Sequence, residues 1–152
     1  MKNIIRAAAL SWTLILITAL TASPAFSATG MWTADRLHYT IYASGGTGET
    51  IHYQSTTYPV NSLITSTSVL VRPYTNGATT ETIRICYQQY GTTNRTPCTS
   101  ELLLTGATTY PLSTFNGLSP KGAITVRHTL TGGTYPAIPG GVQDTVTVNY
   151  SY

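Results

Sequence analysis

Gly140-Gly141-Val142-Gln143-Asp144-Thr145-Val146-Thr147-Val148-Asn149-Tyr150-Ser151-Tyr152 ends the chain. From Val146 onward the even positions are Val, Val, Tyr and Tyr, and the odd ones are Thr, Asn and Ser. A period of two places one set of side chains in a core and the other toward solvent, so this stretch reads as a β-strand behind a Gly-Gly turn. The strand runs to the last residue and has no successor to pair with. Its far neighbour must therefore come from elsewhere in the chain or from another molecule.

Working outward, Thr, Val, Ile and Tyr dominate the segments between Gly and Pro punctuation, as suits a pleated surface. The pattern predicts strands over Leu37–Ala43, Thr50–Tyr53, Ser68–Arg72, Thr82–Gln88, Glu101–Leu104, Ala123–Leu130 and Val142–Tyr152. Turns fall at Ser44-Gly45-Gly46 and Gly132-Gly133. Without a 3.6-residue apolar period, short strands at this spacing indicate an all-β, immunoglobulin-like antiparallel sandwich.

Lys2 and Arg6 precede an apolar run, Ala7–Leu20, and Ala25-Phe26-Ser27 follows with small residues at the two positions a signal peptidase reads. Residues 1–27 are expected to be an export signal, with cleavage after Ser27 or, as the alternative, after Ala25. Of eight Lys and Arg, two lie in this leader, and five Asp and Glu oppose the remaining six, a mature balance of +1. Six scattered cations do not make a nucleic-acid surface. A chain that is 41% hydrophobic with 11 Tyr also lacks the high charge of disordered segments. Cys86 and Cys98 are the only cysteines, and in an exported protein they are expected to form a disulfide rather than a metal pair or a catalytic thiol.

The Gly-rich turn followed by Asp144-Thr145-Val146-Thr147-Val148 and alternating aromatics, after Leu130-Thr131-Gly132-Gly133-Thr134-Tyr135-Pro136, resembles the end of chaperone-usher pilus (fimbrial) subunits. Spore coat U-like archaic pilins and the small subunits of colonisation factors are the branches it is most similar to. The resemblance covers about Ala123–Tyr152. It implies a sandwich missing its last strand and completed by a donor strand, with no cofactor. The partners it implies are a periplasmic pilus chaperone, an outer-membrane usher and neighbouring pilus subunits, on a route through the periplasm to the cell surface. In that scheme residues 28–43 are a donor arm with Leu37, Tyr39, Ile41 and Ala43 as its plugs. Residues 44–152 form the pilin-like domain, and Val142, Val146, Val148, Tyr150 and Tyr152 line the groove and pair with the chaperone. Ser151 stands where many pilins carry an aromatic. The residues themselves leave a second possibility open, that the first strand belongs to its own sandwich.

No Gly-x-Ser-x-Gly elbow occurs and no two His fall at metal-ligand spacing with an acid, so neither catalysis nor a metal is expected. His38 reads as a surface residue, and His128 as solvent-facing or satisfied in the sheet. Tyr87, Tyr90 and Arg95, in or near the Cys loop, could form an aromatic and cationic patch for a glycan or host receptor. The alternative function is accordingly a secreted β-sandwich binding module that does not polymerise.

Overall fold

The computed structural model describes residues 27–75 and 78–152. The expected signal therefore lies almost wholly outside the described residues. Two antiparallel sheets form a β-sandwich, and no helix occurs among the described residues. The strands are β1 (Thr29–Leu37), β2 (Thr47–His52), β3 (Leu63–Val71), β4 (Thr80–Gln88), β5 (Arg95–Cys98), β6 (Leu102–Leu103), β7 (Thr108–Leu112), β8 (Ala123–Thr131) and β9 (Gln143–Ser151). One sheet has the order β1-β9-β3-β7. The other is β2-β8-β4-β5, with β6 also pairing β4.

The alternation in β9 is as expected: Asp144, Val146 and Val148 are buried, and the residues between them are more exposed. Val146 and Val148 join Trp32, Ile64, Val69, Val71, Ile83, Ile85, Phe115, Ile124 and Val126 in one core between the sheets. Several such fully buried side chains, at about 1.5–3 kcal/mol each from transfer out of water, supply the main force holding the layers together. A smaller apolar cluster of Ile41, Tyr74, Leu130 and Ala137 closes one end. Cys86 and Cys98 form the expected disulfide, tying β4 to β5.

The first strand is displaced from its expected place. It spans Thr29–Leu37, whereas Leu37–Ala43 contains only the isolated bridge Ile41 to Ala137. β1 lies antiparallel to β9 in an unbroken register from Thr29↔Ser151 to Leu37↔Gln143. Its inward positions hold Trp32 and Ala34, both buried, and the Trp32 indole Nε1–H donates to Pro120 O at 3.2 Å. β9 thus has a neighbour from its own chain on each side, β1 and β3. At Gly30, opposite Tyr150, the Tyr150 ring lies over the glycine: a Cβ would come within 2.3 Å of it, and the ring would have to move.

The loop after β1 is pinned rather than hinged. His38 N–H donates to Val142 O at 3.1 Å, Ile41 exchanges two backbone bonds with Ala137, and Gly45 N–H donates to Leu130 O at 2.7 Å. Gly45 takes a φ of 78°, a turn conformation that a side chain would strain.

Candidate functional site

Period-two geometry also explains the first feature with chemical content. The inward phase of β4 carries Glu81 ahead of Ile83 and Ile85, that of β8 carries His128 between Val126 and Leu130, and that of β9 carries Asp144 ahead of Val146. All three titratable side chains are consequently buried where the sheets face each other. His128 Nδ1 lies 2.5 Å from Glu81 Oε1, and Nε2 lies 2.8 Å from Asp144 Oδ2. Ionised carboxylates only accept, so both ring nitrogens donate and His128 is an imidazolium bridging the two sheets. Burial opposes that charge, but the two carboxylates prevail and hold its pKa up to about 9. Burial likewise pushes the Asp144 carboxyl up, while His128 and His38 outweigh it and hold it well below the usual carboxylate range. Backbone N–H groups complete the carboxylates: Arg72 donates to Asp144 Oδ1 at 3.0 Å and Tyr74 to Glu81 Oε2 at 2.9 Å.

His38 joins this group from the loop after β1. Its Nε2 makes a close polar contact with Asp144 Oδ1 at 2.9 Å, and Nδ1 has no hydrogen-bond partner. The ring packs on His128 and Tyr74 at centroid distances of 4.3 and 4.9 Å. The expected surface placement of His38 and the solvent-facing reading of His128 are both corrected. Each belongs to the interior because the loop folds back over the sandwich end, and because His128 shares the core phase of β8. His38, His128 and Asp144 offer ligand atoms that all lie within 4.8 Å of one another.

His52, the last residue of β2, is buried differently. Its Nδ1–H donates to Ala34 O of β1 at 3.1 Å, and its Nε2 accepts from the Thr50 hydroxyl at 2.9 Å. Burial lowers its pKa and outweighs the β1 carbonyl, so the ring stays neutral.

The second feature is a surface cleft of about 430 Å³, lined in part by Ile51, Tyr53, Gln54, Gln88, Tyr90 and Lys121. Tyr53 and Tyr90 are 51% and 63% exposed, and each carries a cation over its ring. Lys121 Nζ sits 3.8 Å from the Tyr90 ring centroid, and the Arg36 guanidinium lies 5.4 Å from that of Tyr53. A second cleft of about 640 Å³ continues past Tyr90 and Lys121 along Ser55–Leu63.

Of the aromatic and cationic patch expected from sequence, only Tyr90 lines this cleft. Tyr87 is buried in the core phase of β4 and donates to Ser119 O at 3.1 Å, and Arg95 is paired with Glu49. Lys121 and Tyr53, remote in sequence, take their place. Among the expected donor-arm residues, Leu37, Tyr39 and Ala43 are exposed, and Ile41 is buried against Leu130 and Tyr74 of its own domain. Of the expected groove residues, Val146 and Val148 are core, Val142 and Tyr150 are half-buried and Tyr152 is exposed.

No protein-family model matches the chain, and no curated protein matches it. Among solved structures it is similar to one described as the crystal structure of FlhE, at 19% identity and a TM-score of 0.55, covering 82% of this chain and 98% of that one. At that identity the likeness is one of β-rich fold alone.

Proposed function

We propose that the chain is an exported, self-contained β-sandwich that binds a saccharide or glycosylated receptor in the Tyr53–Tyr90–Lys121 cleft and does not polymerise by strand donation. The observation that carries this reading is the pairing of β9 on both sides by strands of its own chain. Strand addition needs an open edge in an apolar groove, and here β1 fills that position and buries Trp32 there. An arm meant for a neighbour would need a free connection to its own domain, whereas His38, Ile41 and Gly45 tie this one down. The pilus-subunit reading therefore has less support than the binding module.

The cleft is of ordinary ligand-site size. The exposed parts of Tyr53 and Tyr90 not covered by Arg36 and Lys121 supply apolar surface for the C–H groups of a sugar ring, the amides of Gln54 and Gln89 supply donors and acceptors for its hydroxyls, and Lys121 supplies a charge for a carboxylate or sulfate. The role is binding rather than catalysis: no acid, base and nucleophile converge there.

The test is calorimetric titration of the mature protein, expressed without a chaperone, with neutral and uronic-acid oligosaccharides. A soluble monomer that binds at least one of them, with affinity reduced about tenfold or more in Tyr90→Ala, supports the reading, a loss of about 1.4 kcal/mol. Binding unchanged in both Tyr90→Ala and Lys121→Ala, or protein that accumulates only with a chaperone, overturns it.

A further inference from the structure

We propose that His38, His128 and Asp144 form a binding site for a divalent transition-metal ion, zinc first among them, with Glu81 orienting His128 from behind. The site is separate from the saccharide cleft and does not depend on it. Two imidazole nitrogens and one carboxylate oxygen are a zinc donor set that leaves a fourth position open. Their ligand atoms already lie within 4.8 Å of one another. The His38 and His128 Nε2 atoms are 2.9 and 2.8 Å from the two Asp144 oxygens. Ligands held at about 2.0–2.2 Å around a tetrahedral ion stand roughly 3.3 Å apart, so the two carboxylate contacts must open by about half an ångström, and any wider pair of ligand atoms, all within 4.8 Å, must draw in.

Three observations point to an ion rather than a purely structural cluster. His38 is completely buried in its side chain and makes no hydrogen bond at either nitrogen, and ligation at Nε2 gives one of the two a partner. Glu81 holds His128 Nδ1 at 2.5 Å, the carboxylate–histidine arrangement that fixes a ligating ring and aims its other nitrogen at the metal. A cleft of about 570 Å³ lined by Asp35, Arg36, Leu37, Tyr39 and Gln143 borders the loop at His38, so the buried ligand set lies directly beneath the surface. The ion takes the place of the His128 Nε2 proton, which is released to solvent on binding, and the two carboxylates then balance the charge of a dication. The sequence conceals this set because its members stand at positions 38, 81, 128 and 144 and only the sandwich brings them together.

The experiment uses the mature protein with its disulfide intact, stripped with a chelator and titrated with ZnCl₂ by calorimetry and with CoCl₂ by visible absorption. One equivalent is expected to bind, with the intense bands of four-coordinate cobalt. Glu81→Gln should weaken binding by about 10–100-fold. His38→Phe, which keeps a ring on Tyr74 but removes both nitrogens, should abolish it. Imidazole ¹⁵N spectra of the unmutated protein provide a readout independent of any variant: zinc should shift His38 and His128 and leave His52 in place. Absence of stoichiometric binding, full binding by folded His38→Phe, or zinc shifts confined to His52 would each overturn the proposal.

Discussion

His52 and His128 both occupy inward positions of the same sheet, and their surroundings drive them to opposite charge states. Two carboxylates flank His128, whereas His52 meets one carbonyl and one hydroxyl. The lowered pKa of His52 means that the unfolded chain takes up a proton there while the native state does not. Its contribution to stability is therefore complete above the ordinary value of 6.5 and declines as pH falls below it, by up to about 1.4 kcal/mol per pH unit. Chemical denaturation at a series of pH values should show a steeper loss between pH 6.5 and 5 in the unmutated protein than in His52→Gln; parallel profiles would contradict the neutral buried ring. Asp144→Ala leaves the Arg72 N–H and the Nε2–H of the His128 imidazolium without an acceptor in the interior. It should cost about 3–5 kcal/mol, read from the urea midpoint of the metal-free protein.

At the scale of elements, β1 and the loop after it divide into residues that hold the fold and residues that decorate it. Trp32→Ala should cost about 3–5 kcal/mol and Ile41→Ala about 2–5. Tyr39→Ala should stay within about 0.5, since the loop uses the Tyr39 carbonyl, which accepts from the Tyr74 hydroxyl, and not its exposed ring. Thermal and urea unfolding of the three variants checks the order. Most strands were legible because their alternation survives in plain apolar residues: Val146 and Val148 in β9, and Ile124 and Val126 in β8. β1 was not, because its inward phase reads Gly30, Trp32, Ala34 and Arg36, a weak signal beside the stronger Leu37, Tyr39 and Ile41 that follow. β5 and β7 each contain a proline, which hides a strand from propensity reasoning but is tolerated near a sheet edge. The buried charges were hidden for a related reason. Glu81, His128 and Asp144 continue the apolar phase of their strands, so the period marks them as interior even though their residue types suggest surface.

For the whole molecule, the central claim is that the chain completes its own sheet. β1 and β9 meet side by side at Thr33 and Thr147, whose hydroxyls lie 3.1 Å apart on the outer face. That pair gives the most direct measurement: Thr33→Cys together with Thr147→Cys, oxidised in the exported protein and resolved by non-reducing electrophoresis and intact mass. A strand paired within its own chain predicts a monomer that carries a second intramolecular disulfide besides Cys86–Cys98. A ladder of covalently linked copies would show that β1 pairs with a neighbour's β9, and would contradict the account.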